Sequence, residues 1–76
     1  MMTPKTEIDF RGLNCPLPVS RINEAASPLR RGDVLKVVAT DPGSVADMAA
    51  FCRRVGLRIL DQSEGGGEYV FYVQKA

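Results

Sequence analysis

No histidine occurs anywhere in the 76 residues. That removes Cys–His proteolysis and acyl transfer, which take a general base and later a general acid from one imidazole. Cysteine is scarce as well, with only Cys15 and Cys52, far apart in the chain. Two distant cysteines without histidine make a poor start on structural zinc, which needs four ligands, so neither metal nor cofactor is expected. Apolar runs long enough to span a bilayer are missing, and no membrane partner is expected. The opening MMTPKTEIDF is polar, without a secretory apolar core or small-residue cleavage site. A cytoplasmic, reduced chain with free thiols is the expectation.

Excess charge is missing too. Ten Lys and Arg stand against nine Asp and Glu, a net charge of +1. The signs are interspersed, with basic pairs only at Arg30-Arg31 and Arg53-Arg54 and no basic stripe interleaved with aromatics. On that composition no direct nucleic-acid partner is expected, although a local basic patch would support one. Repeats and linkers are absent, and EGGGE at 64–68 is too short to separate domains. One domain over 1–76, with 1–5 as a flexible tail, follows. So short a chain buries only about 60% of its unfolded surface, and its core is small.

What is present is clearly punctuated. TEIDF (6–10) alternates, with Ile8 and Phe10 on one side and Glu7 and Asp9 on the other, a short half-buried strand. RGLN turns the chain, and Pro16 and Pro18 suit the first turn of a helix, where a missing N–H costs nothing. Val19, Ile22, Ala26 and Leu29 then step along one helix face, and Ser27-Pro28 closes it. DVLKVVAT (33–40) reads as a central strand. In DPGSVADMAAFCRRVG (41–56), Ser44 is the expected N-cap with Asp47 three residues on. Val45, Met48, Ala49, Cys52 and Val55 form the expected buried stripe, and Gly56 the terminator. LRILDQ (57–62) and YVFYVQ (69–74) read as strands joined across SEGGGE.

The order β-α-β-α-β-β predicts an α+β, two-layer sandwich, a four-stranded mixed sheet with two helices on one face. The opposite face is expected to carry a partly apolar mixture such as Lys36, Arg58, Tyr72 and Gln74, open to a partner.

The two cysteines have different addresses. Cys52 lies within an apolar helix stripe and reads as a small buried hydrophobe. Cys15 falls at the N-cap or N′ position of the first helix, beside unpaired N–H groups and the positive end of the helix dipole. That setting favours thiolate over thiol. Arg11 and Arg21 add to the effect if their side chains reach back. A thiolate made by a helix end suits reactions in which sulfur is both nucleophile and leaving group, such as thiol–disulfide and persulfide exchange. Packing also accounts for a cysteine before a helix, so the residues alone leave both readings open. Ser44 reads as a cap, whereas Asp41 is open between shaping a site and making a turn.

DFRGLNCPLPV, followed by GDVLKVVATDPGSVADMAAFCRRVG and a closing YVFYVQK, resembles the TusA/SirA-like family of small sulfur-carrier proteins over residues 7–75. The signature is Cys15-Pro16-Leu17-Pro18, with Gly12-Leu13 before it and Asp41-Pro42-Gly43-Ser44 after the second strand. The resemblance implies the same sandwich and a sulfurtransferase activity shared with partner proteins. Cys15 would take sulfane sulfur as a persulfide from a cysteine desulfurase or rhodanese-like donor and pass it to an acceptor protein. Relatives serve tRNA thiolation, sulfur oxidation or cofactor sulfur supply, and the motif does not choose between them. Gly12, Arg11, Pro16, Pro18 and Asp41 are the residues expected to shape the site, in a monomer or weak oligomer. Two other readings compete: a nucleic-acid-binding module, since the C-terminal domain of bacterial initiation factor three shares the architecture, and a redox-regulatory domain with Cys15 as sensor.

Overall fold

Side-chain alternation in the strands divides the sheet into a face that must be covered and one that need not be. The computed structural model describes residues 4–12 and 19–76. They form β1 (Thr6–Phe10), α1 (Val19–Ala26), β2 (Val34–Ala39), α2 (Ser44–Val55), β3 (Leu57–Gly65) and β4 (Glu68–Lys75). The sheet order is β1-β2-β4-β3, with β1 parallel to β2 and β4 antiparallel to both its neighbours. The last strand therefore inserts between the two that α2 connects.

Register explains the core. Ile8, Val37 and Phe71 stand in one row across three strands, and Phe10, Ala39 and Tyr69 in the next. These rows join Ile22, Leu29, Met48, Phe51 and Cys52 in a single buried cluster. Both helices thus cover the same face, as the element order predicts. Lys75 closes the far end of α1: its Nζ donates to the carbonyls of Ala26 at 3.0 Å and Ser27 at 3.3 Å, satisfying groups the helix leaves over.

The other face is covered by its own side chains. Lys36 lies 5.9 Å from the Tyr72 ring centre and 4.0 Å from Glu7. Arg11 spans β2, from Asp9 on β1 to Glu68 on β4. Val34 and Val38 point to this face by alternation, yet they are only 8% and 4% exposed. Their cross-strand neighbours are Gln74 for Val34, and Asp9 and Val70 for Val38.

Three expectations need correction. Ser44 is not the N-cap of α2: Gly43 is, and Ser44 is the first helical residue, fully buried. Asp41 causes the difference, because its Oδ1 accepts the Gly43 N–H at 2.8 Å and turns the chain early. The Ser44 hydroxyl then donates back to the Asp41 carbonyl. The buried stripe is also rotated, through Ser44, Met48, Phe51 and Cys52, while Val55 is 41% exposed. A phenyl ring removes more apolar surface from water than a valine does, so the helix rolls toward Phe51. The SEGGGE connection shrinks to a turn at Gly66-Gly67, both at positive φ, as a two-residue hairpin requires.

Among the described residues no helix is long and apolar enough to cross a membrane. Gly56 ends α2 at φ 81° and donates its N–H to the Cys52 carbonyl. A Cβ there would meet nothing within 4 Å, so the cost of Gly56→Ala is conformational alone. We expect it to lower unfolding free energy by about 1 kcal/mol, read as a fall in urea midpoint at unchanged m-value.

Candidate functional site

Parallel neighbours deliver their following loops to the same edge of a sheet. β1 and β2 are such a pair, so the segment leaving Phe10 and the segment leaving Ala39 start side by side. The two are tied directly: the Gly12 N–H donates to Thr40 Oγ1 at 2.9 Å. Gly12 sits at φ 84° with open space around it, so glycine is needed there for its backbone conformation, not for room. Cys15, Pro16 and Pro18 lie outside the described residues, between this anchored glycine and the first residue of α1.

Arg11 is held from three directions. Its backbone N–H and Nε donate to Asp9 Oδ1 at 2.9 and 3.0 Å, and Nη2 donates to Oδ2 at 2.9 Å. Nη1 reaches Glu68 at 3.4 Å. Hydrogen bonds from the Arg11 side chain, then from its backbone N–H, hold the Asp9 carboxyl down at about 2. The same contacts push the guanidinium above its ordinary range. Arg11 therefore serves the face opposite the helices, where its charge is shared with two carboxylates. Arg21 packs its guanidinium 5.4 Å from the Phe10 ring centre, a cation–π contact.

Asp41 is engaged in the second loop. Besides holding the Gly43 N–H, it accepts the Ser44 N–H on its carbonyl at 2.9 Å. The turn-making half of its two readings is thus present in the geometry. Cys52 is 3% exposed within the core cluster, and burial pushes its thiol up to about 11. At neutral pH it is a protonated packing residue.

Thr40 is the residue that sequence reasoning missed. A threonine at the end of a β-branched strand reads as strand, and nothing local indicates a hydrogen bond to a glycine 28 positions earlier. Among the described residues no cluster of three His, Cys, Asp or Glu side chains could hold a metal.

Fold and sequence define a class: small α+β proteins with one cysteine between the first strand and the first helix and no histidine in the chain. Residues 6–75 match the family model described as sulfurtransferase TusA. The chain belongs to the TusA family. It is 43% identical to the sulfur carrier protein TusA of Allochromatium vinosum over 70 residues, 92% of each chain. It is 38% identical to the sulfur carrier protein TusA of Pseudomonas putida strain GB-1 over 73 residues, covering 96% of this chain and 91% of that one.

The pairing of Arg11 with Asp9 makes a pH-dependent contribution whose sign is fixed. The folded carboxyl titrates below the ordinary value of 3.8, so the contribution is complete above that value and lost as pH falls toward 2. By carboxyl-detected NMR we expect Asp9 to titrate near 2 in the wild type and to return toward 3.8 in Arg11→Met. Wild-type titration near 3.8 would show that the pair does not form in solution.

Proposed function

We propose that this chain is a sulfur carrier in which Cys15 accepts sulfane sulfur as a persulfide and transfers it to an acceptor protein. The donor is of the cysteine desulfurase or rhodanese type. One observation carries the reading: Cys15-Pro16-Leu17-Pro18 occupies the junction between β1 and α1 in a chain of the TusA family.

The step balances without an added oxidant or acid–base pair. The Cys15 thiolate attacks the outer sulfur of the donor's persulfide. A bond forms between that sulfur and Sγ of Cys15, the donor's S–S bond breaks, and the donor cysteine leaves as thiolate. An acceptor thiolate then attacks the outer sulfur of the Cys15 persulfide, and Cys15 is the leaving group. Each exchange uses one thiolate and returns one, so a histidine is not needed. The unpaired N–H groups at the start of a helix stabilise an anionic sulfur in either state. Pro16 and Pro18 fix φ near −65° and limit the positions the sulfur samples. Catalysis is shared, since the partner supplies alignment while this chain supplies a stabilised nucleophile.

Gly12, Thr40 and Asp41 shape the site on this reading. The Gly12–Thr40 bond fixes the direction in which the chain leaves β1, and Asp41 fixes the loop on which Thr40 stands.

Incubation with a persulfide donor, followed by intact-protein mass spectrometry, tests the assignment. Wild type and Cys52→Ser are expected to gain the mass of one sulfur atom, released by reductant, with Cys52→Ser losing stability only. Cys15→Ser is expected to gain nothing while remaining folded. Loading on a folded Cys15→Ser protein would overturn the assignment, and sulfenic acid after oxidant with no sulfur uptake would make Cys15 a redox sensor. Thr40 is tested by rescue. Thr40→Val is expected to slow loading severalfold with its unfolding free energy lowered by about 1 kcal/mol or less, and Thr40→Ser, which keeps the acceptor oxygen, to restore the rate. Equal rates for Val and Ser would remove Thr40 from the site.

A further inference from the structure

Folding sorts charges that the sequence intersperses. Four separate segments meet at the end of the sheet remote from Gly12. The Gly32 N–H donates to the Lys75 carbonyl at 2.7 Å, the Lys75 N–H to the Asp33 carbonyl at 3.0 Å, and the Lys5 N–H to the Val34 carbonyl at 2.7 Å. Leu57 and Arg58 pair with Lys75 and Gln74. A groove of about 310 Å³ between the ends of the two helices is lined by Ser27, Val55, Leu57 and Lys75. Lys5, Arg30, Arg31, Arg53, Arg54 and Arg58 are all exposed around this end. None of the six forms an ion pair among the described residues, where the ion pairs involve Arg11 and Lys36. The carboxylates at this end are Asp33, whose Oδ2 accepts the Arg30 N–H, and Glu24 in the last turn of α1, two against six cations. The end nearest Gly12 is opposite in sign, with Asp9, Asp41, Asp47, Glu64 and Glu68 against Arg11 and Arg21.

We propose that the basic end is a docking surface for the phosphate backbone of folded RNA, bound without base recognition. Arg53 and Arg54 have a local role as well, complementing the negative end of α2. That leaves Lys5, Arg30, Arg31 and Arg58 without one. Five of the six cations are arginines, whose planar forks match phosphate oxygens in pairs. Protein interfaces are anchored by buried aromatic or aliphatic side chains. Here Val55 is the one large apolar side chain left exposed among the described residues. No helix or aromatic platform projects from this end to read bases, and so the contact is with backbone only. Folded RNA presents phosphates from several strands over one surface, which suits a patch built from four segments better than the two parallel rows of a DNA duplex. The acidic end repels the same polyanion, so the bound RNA stays away from the end at which Gly12 lies. The proposal departs from the expectation set by net charge, which averages the two ends.

Fluorescence anisotropy with a labelled RNA stem–loop tests this on the full chain. If all six cations engage a base-paired stem, the slope of log affinity against log salt is about −5, a loss of roughly 1,000-fold between 50 and 200 mM salt. Arg30→Glu/Arg31→Glu and Arg53→Glu/Arg54→Glu should each weaken binding about tenfold or more and flatten the slope by about 1.8. Glu64→Gln should leave it unchanged or tighter. Cys15→Ser should bind as the wild type, and both arginine variants, shown folded by circular dichroism, should still load sulfur. RNA binding and sulfur transfer thus fail separately. No binding at 50 mM salt, or binding indifferent to the arginine variants, overturns the proposal. Tighter binding of an equal-length DNA duplex overturns the choice of RNA. Binding of polyglutamate in place of RNA reassigns the surface to an acidic protein.

Discussion

The parallel pairing of β1 with β2 is the constraint on which the remaining structure depends. A parallel connection cannot be a tight turn, so the chain must leave the sheet after Phe10, cross over as α1 and return. That detour creates the junction in which Cys15 stands. The same pairing starts the loop after β2 beside it, which is why Thr40 can hold Gly12. Backbone direction at the junction is set by a sheet, the most rigid element a domain of this size has.

Burial then divides the labour between the two faces. The helix side takes every large apolar ring that must be hidden, Phe10, Phe51 and Phe71, and Cys52 with them. The other side has no layer over it and manages with Lys36 on Tyr72 and Arg11 between Asp9 and Glu68. This arrangement occupies Arg11, one of the two residues whose charge was expected to favour a thiolate at Cys15. On the proposed reading the burden on the helix end is correspondingly greater.

Much of the fold was legible because period and punctuation agree. β1 appears as the alternation in TEIDF demands, and Gly56 terminates α2 in the left-handed conformation that its position implied. Failures arose where a choice depended on particular contacts, near or remote in sequence, that spacing rules do not rank. Capping rules rank Ser44 highly, but they do not see Asp41 turning the chain one residue earlier. The stripe drawn by spacing takes in Val55 and leaves out Phe51, while the core selects the larger ring. Insertion of β4 between β2 and β3 is a property of pairing, not of any one segment. For the site, Gly12 and Asp41 were visible as turn residues. Thr40 and the clustering of arginines exist only after the strands align.

The environment of Cys52 follows from the same layering, and it bears on why an absent histidine is no handicap to the proposed reaction. Cys52 shows what the core does to a thiol: desolvation disfavours the anion and pushes its pKa up to about 11. A nucleophilic sulfur therefore has to stand away from the core, at an edge where backbone N–H groups replace lost water. On the proposed reading the strand-to-helix junction after β1 serves that need, and a histidine placed there would add a cation able to pair with the thiolate but no step that needs a proton moved. In persulfide exchange the acceptor thiolate arrives already ionised and the leaving thiolate departs so. What such a reaction asks of this chain, on the proposed reading, is a stabilised anion, which the N–H groups at a helix start supply, while alignment comes from the partner.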